Sequence, residues 1–174
     1  MLVRYAFTAT LLSATLVACA SAPTPGSAST DAGHTADVVA SARRWTGNFT
    51  ATQSVNGSLV PSTRQSGNGS VELTVARANP GLTHVRLRAA VSIEPGLEVL
   101  GWSINPGNCG SGDTPILSPS VFPLMQLNPN GQANFDDNIP WELPESGNYH
   151  VNVFRGSNSQ LNNVVTCADL RRKD

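Results

Sequence analysis

Few side chains in this sequence could do chemistry. Its 174 residues include only three histidines, His34, His84 and His150, and three cysteines, Cys19, Cys109 and Cys167. A copper or zinc site needs several nitrogen or sulfur donors converging at about 2 Å. There is no CxxC, and no histidine lies near Cys109 or Cys167 in sequence. A cysteine-based metal or redox site is therefore the weaker reading of that pair. Ser103, His150 and Asp113 can be combined on paper into a nucleophile, a base and an orienting acid. Their spacing fits no nucleophile elbow, and Gly-x-Ser-x-Gly is missing. Asp136-Asp137-Asn138 offers oxygen ligands, but without the spacing of a calcium loop, so these residues read as solvated turn acids.

What remains is a polar constellation. Ser103 and Asn105 alternate along one candidate strand, and His150 and Asn152 along another. Side chains two apart on a strand share a face, so each pair points one way. These four are the candidate binding residues. Trp102 points to the opposite side from Ser103 and is expected in the core. Trp141, between Pro140 and Glu142, is the candidate exposed contact. The loop 105–120, rich in Gly, Ser and Pro and carrying Cys109, is a candidate recognition loop. His84 on an outer strand face reads as solvated, as does His34 in a polar segment.

The elements that would position these residues are strands. Val71, Leu73 and Val75 alternate with Glu72, Thr74 and Ala76; Val85, Leu87, Ala89 and Val91 alternate with His84, Arg86, Arg88 and Ala90. Such alternation marks strands with one buried and one wet face. Further strands are expected at 45–53, 97–105, 121–128, 132–136, 148–155 and 162–168. Turn signals separate them, including Asn56-Gly57, Gly67-Asn68-Gly69, Asn79-Pro80-Gly81 and Ser146-Gly147-Asn148. Asn130-Gly131 reads as the clearest two-residue hairpin. The expected fold is all-β: a Greek-key sandwich or flattened barrel of about eight antiparallel strands, spanning 45–174.

Residues 1–18 read as a signal peptide, with Arg4 before a short apolar run. Leu16-Val17-Ala18-Cys19 matches the bacterial lipobox. It implies acylation of Cys19, a bilayer as partner, and a place in the bacterial cell envelope. Ala20 after the cysteine resembles the pattern sorted to the outer membrane. Residues 19–44 are small, polar and Pro/Gly-broken, and read as a flexible tether. With Cys19 acylated, Cys109 and Cys167 remain, and a pair in an exported chain reads as a disulfide. Closing that loop would stabilise the fold by about 4 kcal/mol. The formal net charge is -1 and charged residues are 13% of the chain, so nothing points to nucleic acid. The only basic run, Arg171-Arg172-Lys173, reads as a solvated tail.

Three segments carry a family resemblance: WSINPGNC at 102–109, YHVNVF at 149–154 and VVTCADL at 164–170. Together they resemble the Cu/Zn superoxide dismutase-like fold and the related chordin-like (CHRD) domains. The resemblance implies that Cys109 bridges Cys167. It also implies that Ser103 and Asn105 stand where a His-x-His metal pair would be, and Phe154 where a later histidine would be. The chain is therefore expected to be a metal-free, cofactor-free, non-catalytic member, with a binding or structural role toward an envelope protein or glycan. The alternatives are a metal-binding or redox envelope protein, and a passive surface lipoprotein without a specific ligand.

Overall fold

The computed structural model describes residues 43–63, 67–111 and 114–173; Cys19, His34 and Asp113, and with them the expected signal peptide and nearly all of the tether, lie outside these. Within them the chain is all-β. The N-terminal strands are β1 (Arg44–Asn48), β2 (Thr50–Val55) and β3 (Ser58–Pro61). A hairpin follows, β4 (Gly67–Val75) and β5 (Thr83–Val91). Next come β6 (Val99–Pro106), the short β7 (Met125–Gln126) and β8 (Gln132–Ile139). β9 (Tyr149–Arg155) and β10 (Val164–Lys173) complete the wall.

The strands are antiparallel in the order β7-β6-β9-β10-β1-β4-β5-β8. The two outer strands, β7 and β8, approach each other, so the sheet curls into a nearly closed, flattened barrel. Among the connections between strands that do not pair, two cross in Greek-key fashion. Residues 92–98 carry the chain from β5 to β6, and residues 140–148 carry it from β8 to β9, neither pair being hydrogen-bonded neighbours.

The alternation read from the sequence sorts core from surface. In β5, Val85, Leu87, Ala89 and Val91 are buried while Arg86 and Arg88 are exposed. In β6 the inward residues are Leu100, Trp102 and Ile104. Trp102 is 2% exposed, packs against Phe122 and Phe135, and donates its indole N–H to the carbonyl of Pro123. Trp45 closes one end of the core, edge-on to Tyr149 at 5.7 Å, with its N–H on the carbonyl of Pro144.

Several expectations are corrected. Residues 45–53 form two strands, β1 and β2, parted at Phe49, whose side chain is buried. The pair Asn130-Gly131 lies in a turn closed between Asn128 and Gln132, and β7 and β8 share no ladder. The two-residue hairpin is instead Asn56-Gly57, with Val55 paired to Ser58 and both turn residues at positive φ. Residues 121–128 keep only two strand residues, after a 3-10 turn at Pro119–Val121. Asp136, Asp137 and Asn138 are strand residues of β8, and Asp136 pairs with Arg86 and His84. His84 is accordingly held between Asp136 and Asn138. The strand expected at 162–168 runs on to Lys173. Arg171-Arg172-Lys173 is thus no tail: it pairs with Arg44, Trp45 and Thr46.

Gly67-Asn68-Gly69 is likewise part of β4, not a turn. Gly69 sits at φ +134°, and a Cβ there would come within 2.0 Å of the Arg88 carbonyl oxygen. Gly57 also has positive φ (+79°), but a Cβ on it would meet only open space. Gly57→Ala should therefore cost about 1 kcal/mol of backbone strain. Gly69→Ala should cost more than about 3 kcal/mol, because the backbone of β5 must also move. Urea titration of the two variants checks the contrast.

Candidate functional site

The structure brings Ser103, Asn105, His150 and Asn152 together. β6 and β9 are neighbours, and their register sets Ser103 opposite Asn152 and Asn105 opposite His150. All four point away from the apolar core, from the outer face of the barrel wall. That face is nonetheless closed. The four are between 0% and 1% exposed, because the segment after β6 folds back over it.

A short network joins them. Ser103 Oγ donates to Asn105 Oδ1 at 2.6 Å. His150 Nδ1 lies 3.1 Å from the carbonyl of Gly107, which can only accept, so Nδ1 is the donor of that contact. Nε2 is then the acceptor and receives Asn152 Nδ2 at 3.4 Å. Two atoms of the quartet, Asn105 Nδ2 and Asn152 Oδ1, are buried with no hydrogen-bond partner in the protein. Leaving such groups unpaired costs about 1–3 kcal/mol each.

Chemically this is a bonded polar corner. The Ser103 hydroxyl engages Asn105, and both ring nitrogens of His150 are engaged elsewhere. The geometry does not bring Ser103 to His150 as a nucleophile would be brought to its base. Among the described residues, no three His, Cys, Asp or Glu side chains converge as metal ligands would. Phe154 lies beyond Asn152 on the same face, fully buried with Val164 and Cys167.

The covering segment is fastened at three points. Gly107 N–H donates to the Asn148 carbonyl at 2.8 Å. Cys109 bridges Cys167 of β10, with Cα atoms 6.0 Å apart. The Cys109 N–H donates to Asp169 Oδ1 at 2.6 Å. Further along, Ile116 N–H returns to the Ile104 carbonyl, and Ile116 and Leu117 pack on the core. The described parts of the loop 105–120, residues 105–111 and 114–120, are therefore tied down, and 107–109 cover the quartet; the exposed positions among them are Pro106, Asn108, Gly110, Ser111, Thr114 and Ser118–Ser120. Trp141 is not a free surface aromatic. It is half-buried, stacked edge-on to Tyr149 at 5.4 Å and packed against the core.

Sequence reasoning missed Asp169. It stands two residues after Cys167 and directly across from His150 on β9. The same alternation that placed Cys167 would have placed Asp169 beside it. It also missed β3, whose four residues SLVP are too short and end in a proline. In comparisons with known proteins, no family model, no curated protein and no solved structure matches this chain.

Two outcomes follow from this geometry. Replacing both bridging cysteines by serine should lower stability by about 4 kcal/mol, measured by chemical unfolding with and without reductant. Nitrogen NMR of the ring should show His150 Nδ1 carrying a proton, with Nε2 in the acceptor range. Protonation on Nε2 would contradict the Gly107 contact.

Proposed function

We propose that this chain is a lipid-anchored protein of the bacterial cell envelope, held through acylated Cys19 and placed at the outer membrane. Its β-barrel, resembling the superoxide dismutase-like and chordin-like domains, serves a binding or structural role without metal and without catalysis. The observation that carries the reading is the closed polar corner. At the place where the resemblance puts copper ligands, one imidazole remains, and its nitrogens are taken by Gly107 and Asn152. Ser103 and Asn105 fill the other positions and bond to each other. The unpaired amide atoms there argue that the corner was not shaped for stability alone, since apolar residues would be cheaper to bury.

Two further features support the family reading. The strand order has two Greek-key crossovers. The Cys109–Cys167 bridge joins the segment after β6 to a late strand, as the resemblance implies. Among the described residues, no helix is long and apolar enough to cross a membrane. With the quartet covered, a partner would be met on the exposed loop positions and outer strand faces.

The anchor and the chemistry are tested separately. Cys19→Ala should move the protein from the membrane fraction to the soluble fraction of envelope preparations. Protein purified from native membranes should carry copper and zinc well below one equivalent, unchanged by His150→Ala. Stoichiometric metal lost on that substitution would overturn the metal-free reading.

A further inference from the structure

The β2–β3 hairpin stands over the outer face of β10 and β1 and encloses a trough of about 580 Å³, within the roughly 300–1,000 Å³ range of small-molecule sites. Its two ends differ in chemistry. One is apolar: Leu59 and Pro61 of β3, which share a strand face, form the wall beside the Cys109–Cys167 bridge. The other is cationic, lined by Arg171 and Lys173. The floor between them is neutral and hydrogen-bonding, made by Thr46, Asn48 and Thr50.

The charges at the cationic end are not neutralised from β1. The cross-strand neighbour of Arg171 is Thr46, and that of Lys173 is Arg44. Arg44 is itself a cation and is paired with Glu72. The one acid lining the trough, Asp169, sits nearer the disulfide and accepts the Cys109 N–H. A trough apolar at one end and cationic at the other, with its one carboxylate engaged by Cys109, fits a molecule with an alkyl chain and an anionic head.

We infer that this trough binds an anionic amphiphile, an alkyl chain ending in a carboxylate or phosphate, with its head against Arg171 and Lys173 and its chain along Leu59 and the disulfide. This gives a ligand class to the binding role proposed above. It also fits the proposed anchor, because the cationic end lies at the rim where the chain enters β1 at Arg44.

The test uses the chain carrying Cys19→Ser, so that no acyl chain of its own competes. It is titrated calorimetrically with myristate below its micellar concentration, methyl myristate, inorganic phosphate and phosphatidylglycerol vesicles. Myristate should bind saturably, one per chain, and at least tenfold more tightly than its uncharged ester. Arg171→Gln with Lys173→Gln should weaken myristate about tenfold and leave the ester unchanged. Leu59→Asp and Pro61→Asp should each weaken both, with near-ultraviolet circular dichroism confirming that each variant is folded. Binding of vesicles as well as monomeric myristate would identify membrane lipid as the source; binding of myristate alone would identify a free fatty acid. The proposal is overturned by equal affinity for acid and ester, by binding that survives the double substitution, by binding of phosphate or vesicles without myristate, or by no saturable binding. None of these results bears on Cys19 or on metal content, which fractionation and metal analysis decide.

Discussion

The ladder along β10 is the constraint on which the rest of the structure depends. This strand pairs with β9 on one edge and with both β1 and β2 on the other. Its register to β1 and to β2 is the same count, Thr46 to Arg171 and Thr50 to Cys167, so the interruption at Phe49 bends the N-terminal strand without slipping it. A slip of one residue would turn Ala168 and Leu170 outward and Cys167 inward. The disulfide, the Asp169 contact and the cover over the quartet would be lost together. The bridge is thus more than a loop-closing link: it fastens the segment after β6 to the strand whose register everything else shares.

Against this frame, the wall formed by β6, β9 and β10 has two unlike faces. Inside are Trp102, Ile104, Val151, Val153, Ala168 and Leu170, all in one apolar core. Outside is a second buried layer, polar where Ser103, Asn105, His150 and Asn152 meet and apolar around Phe154, Val164 and Cys167. Burial of the polar part costs free energy that the packing of Phe154 and the disulfide offsets. A thin loop can cover such a layer only if tied at several places, and the contacts of Gly107, Cys109 and Ile116 are those ties.

Much of this was legible in the sequence because one physical signal dominates a β-barrel. The period of two in 71–76 and 84–91 separated inside from outside, and it put Ser103 and Asn105 opposite Trp102 and put His150 with Asn152. It could not say that the outward face would be covered, because cover is a property of where a loop goes. Gly67 and Gly69 were misread as turn residues because glycine has two uses. Here it permits close approach of strands, with a Cβ on Gly67 falling 2.9 Å from Thr166 Cβ. The basic run at 171–173 looked like a tail because charge alone carries no pairing information; its partners, Arg44 to Thr46, are more than 120 residues away. Trp141 looked exposed between Pro140 and Glu142, yet its ring finds Tyr149 across the rim.

The side-by-side placement of Arg44 and Lys173 gives the barrel a polarity. Both strand ends leave from one rim, so any pull on the N-terminal side of the domain is applied there. The ladder of β1 with β10 and β4 would take that load in shear, across many hydrogen bonds at once, and would not open one bond at a time like a zipper. The far rim, with the turns at 92–98, 128–131 and 156–163, bears none of it. Those turns are held in their own way: Ile93 is exposed, but Leu97 and Leu161 pack inward and Glu94 pairs with Arg155.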